Sequence, residues 1–175
     1  MQYLVISALG GDRSGIVNDL TGVVVESGCN IVDSRMTIMG GDFAVLMLVE
    51  GQWNAVAKLE GQIPALQERL GMAIIAKRTE TAPAQSNGLP YTVEVISLDH
   101  PGIVYQLAGF FASRGINIQE LETDSYRAPH TGTPMFMASM TVSIPTDTHI
   151  ASLREEFLDF CDTLNLDAVL EPVKR

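Results

Sequence analysis

Basic residues are scarce in this chain. Lys and Arg number 11 against 21 Asp and Glu, a net charge of −10 over 175 residues. The deficit is uneven: residues 1–83 carry 9 acidic and 6 basic side chains, residues 84–175 carry 12 and 5. Phosphate neutralisation dominates affinity for nucleic acid, so no direct nucleic-acid binding is expected of either half. Cysteine is nearly absent. Cys29 and Cys161 belong to no CxxC pair or Cys/His cluster, and read as buried or idle thiols in a reducing cytoplasm. No apolar run approaches the roughly 20 residues of a membrane span. The opening "MQYLVISALGGD" has no basic segment ahead of its apolar run, and reads as a strand rather than a signal peptide. Histidine is limited to His100, His130 and His149, with no HxxxH or HExxH spacing to hold a metal. No GxSxG elbow or phosphate loop occurs either. These absences predict a protein without catalysis and without a cofactor.

What the chain does have is an internal repeat. Asp12–Ile31 aligns without gaps on Asp99–Ile118, 87 positions on, with nine of twenty residues identical. The shared set includes Asp12/Asp99, Gly15/Gly102, Gly28/Gly115 and Asn30/Asn117. A repeat of this length is a whole structural unit. Each copy opens on a stretch rich in β-branched and aromatic residues, Tyr3–Leu9 and Tyr91–Leu98, which predicts a strand. A turn and a helix follow, with apolar positions Ile16, Leu20, Val23 and Val24, or Ile103, Leu107, Phe110 and Phe111, on one face. Gly28 and Gly115 close the two helices. Two strands come next, Asn30–Met39 with Phe43–Glu50 and Asn117–Tyr126 with Met135–Ile144. The second copy carries six extra residues in this hairpin, inside "RAPHTGTP". A second helix is predicted over Val56–Leu70, where Pro64 should kink or restart it, and over Ile150–Leu164, capped by Thr146 or Asp147. Last strands are Ala73–Glu80 and Asp167–Val173.

The order β-α-β-β-α-β, twice, predicts an α+β protein of two ferredoxin-like domains, each an antiparallel sheet with both helices on one face. The first spans residues 1–80, the second 91–175, and the polar, Pro- and Gly-containing Thr81–Pro90 is the linker. At the repeated turn, Asp12 and Asp99 are placed to cap the helix, with Pro101 in its first turn, and free N–H groups there suit a small anion such as a carboxylate. Asn30 and Asn117 begin the second strands. They are expected near the turn before the first helix, where an amide can bind both a carboxylate and an ammonium.

The pattern D-x-x-G-I-V … G-x-N-I on this frame resembles the ACT domain, an amino-acid-binding regulatory module. Two copies account for residues 3–173, leaving no stretch among these residues for a separate catalytic domain. The resemblance implies side-by-side pairing of units, a homodimer, and amino-acid binding at the seams. The implied ligand-binding residues are Asp12, Gly15 and Asn30 in the first copy and Asp99, Gly102 and Asn117 in the second. Serine-binding members have asparagine where Asp12 and Asp99 stand, so an aspartate here would face a ligand's ammonium end. The tandem layout, "ALGGDRSGIV" and the hairpin "APHTGTPMF" are further similar to two-ACT transcriptional repressors. That implies a cytoplasmic regulator that senses a small amino acid, glycine or a close relative, and acts through a DNA-binding transcriptional activator protein. The alternative is a free-standing ACT regulator that controls a metabolic enzyme by contact. The fuller "DHPGI" turn and the hairpin rank the second copy's site above the first.

Overall fold

The computed structural model describes residues 1–80 and 88–174. The chain forms two compact units of the same design. The first runs β1 (Gln2–Gly11), α1 (Ile16–Glu26), β2 (Asn30–Met39), β3 (Asp42–Gly51), α2 (Trp53–Leu70) and β4 (Ala73–Thr79). The second runs β5 (Gly88–Leu98), α3 (Ile103–Ala112), β6 (Asn117–Arg127), β7 (Pro134–Pro145), α4 (Ile150–Thr163) and β8 (Asp167–Pro172). Both sheets are antiparallel, ordered β2-β3-β1-β4 and β6-β7-β5-β8. This is the ferredoxin-like arrangement expected from the repeat. The expected linker falls mostly on residues 81–87, outside the described residues; Gly88–Pro90, assigned to it from sequence, are the first residues of β5.

Alternation along the strands explains where each core lies. On β1, Leu4, Ile6 and Ala8 are buried, while Val5 is half-buried and Ser7 and Leu9 are exposed. On β3 the buried set is Phe43, Val45, Met47 and Val49. These meet the predicted stripes of α1 (Ile16, Leu20, Val23, Val24) and α2 (Val56, Leu59, Ile63, Leu66). The second core repeats the scheme, with Phe110, Phe111 and Phe157 clustered at ring distances of 5.2–5.3 Å. One face of each sheet is therefore covered by helices and the other is open.

Three local expectations are corrected. Pro64 does not restart α2, which runs unbroken for 18 residues. It stands on the helix's exposed side, where the Glu60 carbonyl that loses its donor can turn to water, while Leu59, Ile63 and Leu66 stay buried on the opposite side. The cap of α4 is neither Thr146 nor Asp147 but His149, whose Nδ1 accepts from Ser152 N (3.3 Å). Pro101 lies ahead of its helix rather than in the first turn, because Gly102 is the N-cap and α3 starts at Ile103.

Candidate site at the turn before the first helix

The two turns that carry the repeated motif are built by the backbone. Gly15 and Gly102 are the N-caps of α1 and α3, at φ 86° and 95°. Left-handed backbone of this kind is costly for any residue with a Cβ, which accounts for the glycine. Space does not: a Cβ on Gly102 would meet nothing within 4 Å, and one on Gly15 only Arg13 Nη1 at 3.8 Å. Neither helix has a side-chain cap bond, so Asp12 and Asp99 do not cap as expected. They directly follow the preceding strands. Asp12 N donates to Gly41 O (3.4 Å) and Asp99 N to Pro134 O (3.0 Å).

Around the first turn the surface is concave. A groove of about 480 Å³ lies between the turn, the start of α1 and the end of β2, with Asp12, Arg13, Gly15, Val17, Met36 and Ile38 among its lining residues. Arg13 Nη2 donates to Asp19 Oδ2 (2.6 Å), which holds the guanidinium over the helix start. Met36 and Ile38, on the helix side of β2, are each 57% exposed. The groove thus offers a cation, a carboxylate and an apolar wall. Arg13, Met36 and Ile38 were not singled out from the sequence. The signal for them was the 87-residue offset itself, which sets them against His100, Thr123 and Ser125.

Those replacements change the second turn. Ser125 Oγ donates to Asp99 Oδ2 (3.2 Å), tying β6 to the turn. Ile38 has no hydroxyl and leaves the first turn without this tie. His100 Nδ1 donates to the Pro101 carbonyl (3.1 Å), a bond local to the turn. The enlarged hairpin closes on itself, with Ala128 N donating to Thr133 O (2.9 Å) and Arg127 Nη1 to Gly132 O (3.1 Å).

The asparagines are not near these turns. Asn30 pairs with Glu50, which pairs with Tyr3 at the start of β1, whereas Gly11, next to Asp12, pairs with Asp42 at the far end of β3. Eight strand steps separate the two rows of β3, roughly 27 Å at about 3.4 Å per residue. Asn117 pairs with Ser143, and Leu98, next to Asp99, pairs with Met135, the same eight steps away. The reason is the return path: α1 runs back along the sheet, so β2 begins at the end of the sheet opposite the turn. The structure brings Asp12 and Gly15 together, and likewise Asp99 and Gly102; it sets Asn30 and Asn117 apart from them within each unit.

Elsewhere, a groove of about 630 Å³ lies between α4 and β8, where Arg154 Nε donates to Leu170 O (3.0 Å). Among the described residues no group of three or more His, Cys, Asp or Glu is placed to hold a metal ion. Both cysteines are buried free thiols. Burial raises both above the ordinary thiol range, Cys161 to about 12 with the Asp162 charge adding to it. Among the described residues no helix is long and apolar enough to cross a membrane.

Comparison with known proteins gives this geometry a context. An ACT-domain family profile matches residues 2–77. The "Glycine cleavage system transcriptional repressor" of Escherichia coli (strain K12) is 33% identical over 171 residues, covering 98% of this chain and 90% of that protein. A crystal structure described as a putative glycine cleavage system transcriptional repressor superposes with a TM-score of 0.73 at 30% identity, covering 99% of this chain and 98% of the other. The structure of an unknown protein from Galdieria sulphuraria superposes at 0.78 with 29% identity, covering 99% of both chains. The chain belongs to the family of tandem ACT-domain proteins that includes the glycine cleavage system transcriptional repressors.

Proposed function

We propose that this protein is an amino-acid-sensing repressor of glycine cleavage genes, acting in the cytoplasm through a DNA-binding activator protein. The observation that carries the proposal is the similarity to a repressor of that name over nearly the whole of both chains. Its charge supports action through a protein: at −10, with 12 acidic and 5 basic residues beyond residue 83, the chain has little to offer a phosphate backbone. The ligand is a small amino acid, glycine or a close relative. Asp12 takes its ammonium, and N–H groups at the start of α1 with the Arg13 guanidinium take its carboxylate.

Asn30 takes part by a different route from the one expected. β2 and β6 are edge strands. When an edge β2 pairs antiparallel with the edge of another ACT unit, its first residue comes level with the far end of that neighbour's strand, beside the turn. A seam of this kind joins a turn from one unit to an asparagine from another. Ligand at the seam favours one assembly state, a homodimer in the simplest case, and so changes affinity for the partner.

The test is a gel shift on a glycine-cleavage operator with purified activator, adding this protein with and without glycine. The expected result is no shift by this protein alone and a glycine-dependent change in the activator's shift. A salt-sensitive, sequence-selective shift by this protein alone overturns the mechanism. A pull-down that captures a metabolic enzyme and no transcription factor favours the contact-regulator alternative.

A further inference from the structure

The open faces of the two sheets occupy equivalent positions of one fold, yet their chemistry differs. Directly opposed residues on neighbouring strands share a face. In the first unit one row across the open face therefore reads Asp33–Leu48–Val5–Lys77, from edge strand β2 to edge strand β4. The next row but one along each strand reads Arg35–Leu46–Ser7–Ile75. Leu46 is 51% exposed and Ile75 71%, and Leu9 beyond them is 52% exposed. The row of the second unit that matches the first reads Glu120–Thr141–Thr92–Glu171. One row has opposite charges at its ends and aliphatic residues between. The other has carboxylates at both ends and hydroxyls between.

That difference decides which face can pair with itself. Consider two copies stacked face to face about a two-fold axis parallel to the strands. The operation lays β2 of one copy over β4 of the other, so each row meets its own reverse. In the first unit Asp33 then faces Lys77 of the second copy, and Leu48 faces Val5. In the second unit the same operation would set Glu120 against Glu171 at both ends, a like-charge contact that the exposed Lys174, 4.0 Å from Glu171, offsets in part. Asp33 is also paired to Arg35, yet its side chain remains 60% exposed, so the carboxylate can take a second cation. Four strands about 4.8 Å apart and roughly 24 Å long present about 450 Å² per copy, about 900 Å² in total, which is the size of a weak, concentration-dependent association at the lower edge of specific interfaces.

We propose that the open face of the first unit is a self-association surface, and that its occupant is the same face of a second copy of this chain, with Asp33 of each copy paired to Lys77 of the other. This does not rest on the proposed function, since neither the groove nor any ligand enters it.

The experiment is sedimentation equilibrium on the full chain at low and high salt, with charge-swap variants. Lys77→Glu and Asp33→Lys should each weaken the association about tenfold or more, because each creates two like-charge contacts per dimer. The double swap Asp33→Lys/Lys77→Glu should return it to within about threefold of wild type. Raising salt should weaken the wild-type assembly and strengthen that of Lys77→Glu, since screening acts on attraction in one and repulsion in the other. Circular dichroism checks that each variant is folded. Should either swap fail to fold, Ile75→Lys, at an exposed position of the same face, must weaken association in its place. A wild-type protein that is monomeric throughout, an assembly indifferent to Lys77→Glu, or a double swap no better than the single swaps each overturns the proposal.

Discussion

Replacing Asn30 by alanine separates the ligand-binding reading of this residue from a structural one. The side chain is exposed at the first position of an edge strand, and its pairing to Glu50 is made by the backbone. Truncation there should cost no more than about 0.5 kcal/mol of stability. Losing an amide hydrogen bond to a charged ligand group costs about 1.5–3 kcal/mol, or roughly 10- to 150-fold in affinity. The expected result by calorimetric titration with glycine and related amino acids is therefore a large loss of affinity with an unchanged melting temperature. Asp12→Ala should give a loss of the same order. A free amino acid spans less than about 7 Å, far short of the distance between these residues in one unit. If both variants weaken one class of site, that site draws on two ACT units. Asn117→Ala and Asp99→Ala should have smaller effects, because Asp99 Oδ2 already accepts from Ser125. That ordering reverses the one suggested by the fuller second motif. If Asn30→Ala and Asn117→Ala both bind every wild-type ligand with wild-type affinity, the asparagines have no part in binding and the seam site is wrong.

Phe157→Ala should destabilise by about 3–5 kcal/mol, since the ring is fully buried against Phe110 and Phe111. At roughly 4–8 °C per kcal/mol for a unit of this size, the melting temperature should fall by at least about 12 °C; a drop below about 5 °C would contradict the packing. The Arg78 guanidinium donates to both oxygens of Glu60 and holds its carboxyl below the usual value of 4.5. The lowered value means a contribution present above the unfolded pKa and lost as pH falls through the folded one. Urea midpoints of wild type should therefore decline more steeply below about pH 4.5 than those of Glu60→Gln, and parallel curves would count against the pair. Both thiols are buried, and Cys161 is pushed up to about 12. The native protein should react with a thiol reagent at pH 8 far more slowly than the urea-unfolded chain, and rapid stoichiometric labelling of the native form would refute the burial.

Most of the fold was legible because it rests on short-range patterning. The fourfold spacing of Ile16, Leu20 and Val24, and of Ile103, Leu107 and Phe111, marked the helix faces that are buried. Richness in β-branched and aromatic residues marked the opening strands, and β2 was placed to the residue. What escaped needed three-dimensional lengths or backbone angles. Asp12 looked like a cap by residue type, but the N-cap position three residues on is held by a glycine in left-handed backbone. Asn30 looked close to the turn because both are ends of α1, and a helix has two ends. His149 was passed over because a histidine is an uncommon cap, though its Nδ1 can accept a backbone N–H as a serine oxygen does.

The repeated motif and the candidate site are therefore different kinds of evidence. The glycine of D-x-x-G is required at both turns by the path of the chain, since Gly15 and Gly102 share one left-handed backbone conformation. The motif identifies the fold twice and distinguishes neither unit. The distinction comes from positions the motif does not include. Met36 and Ile38 leave an apolar wall beside the first turn where Ser125, in the place of Ile38, ties the second one down. Lys77 stands at the end of the first open face's row opposite Asp33, where the matching row of the second has Glu171 opposite Glu120. An assignment made from D-x-x-G alone would treat the two units as equivalent sensors, and the fuller turn of the second copy would favour the second. Their surfaces assign the groove and the self-pairing to the first and the excess of negative charge to the second, so variants of the first unit should change ligand response and assembly before those of the second do.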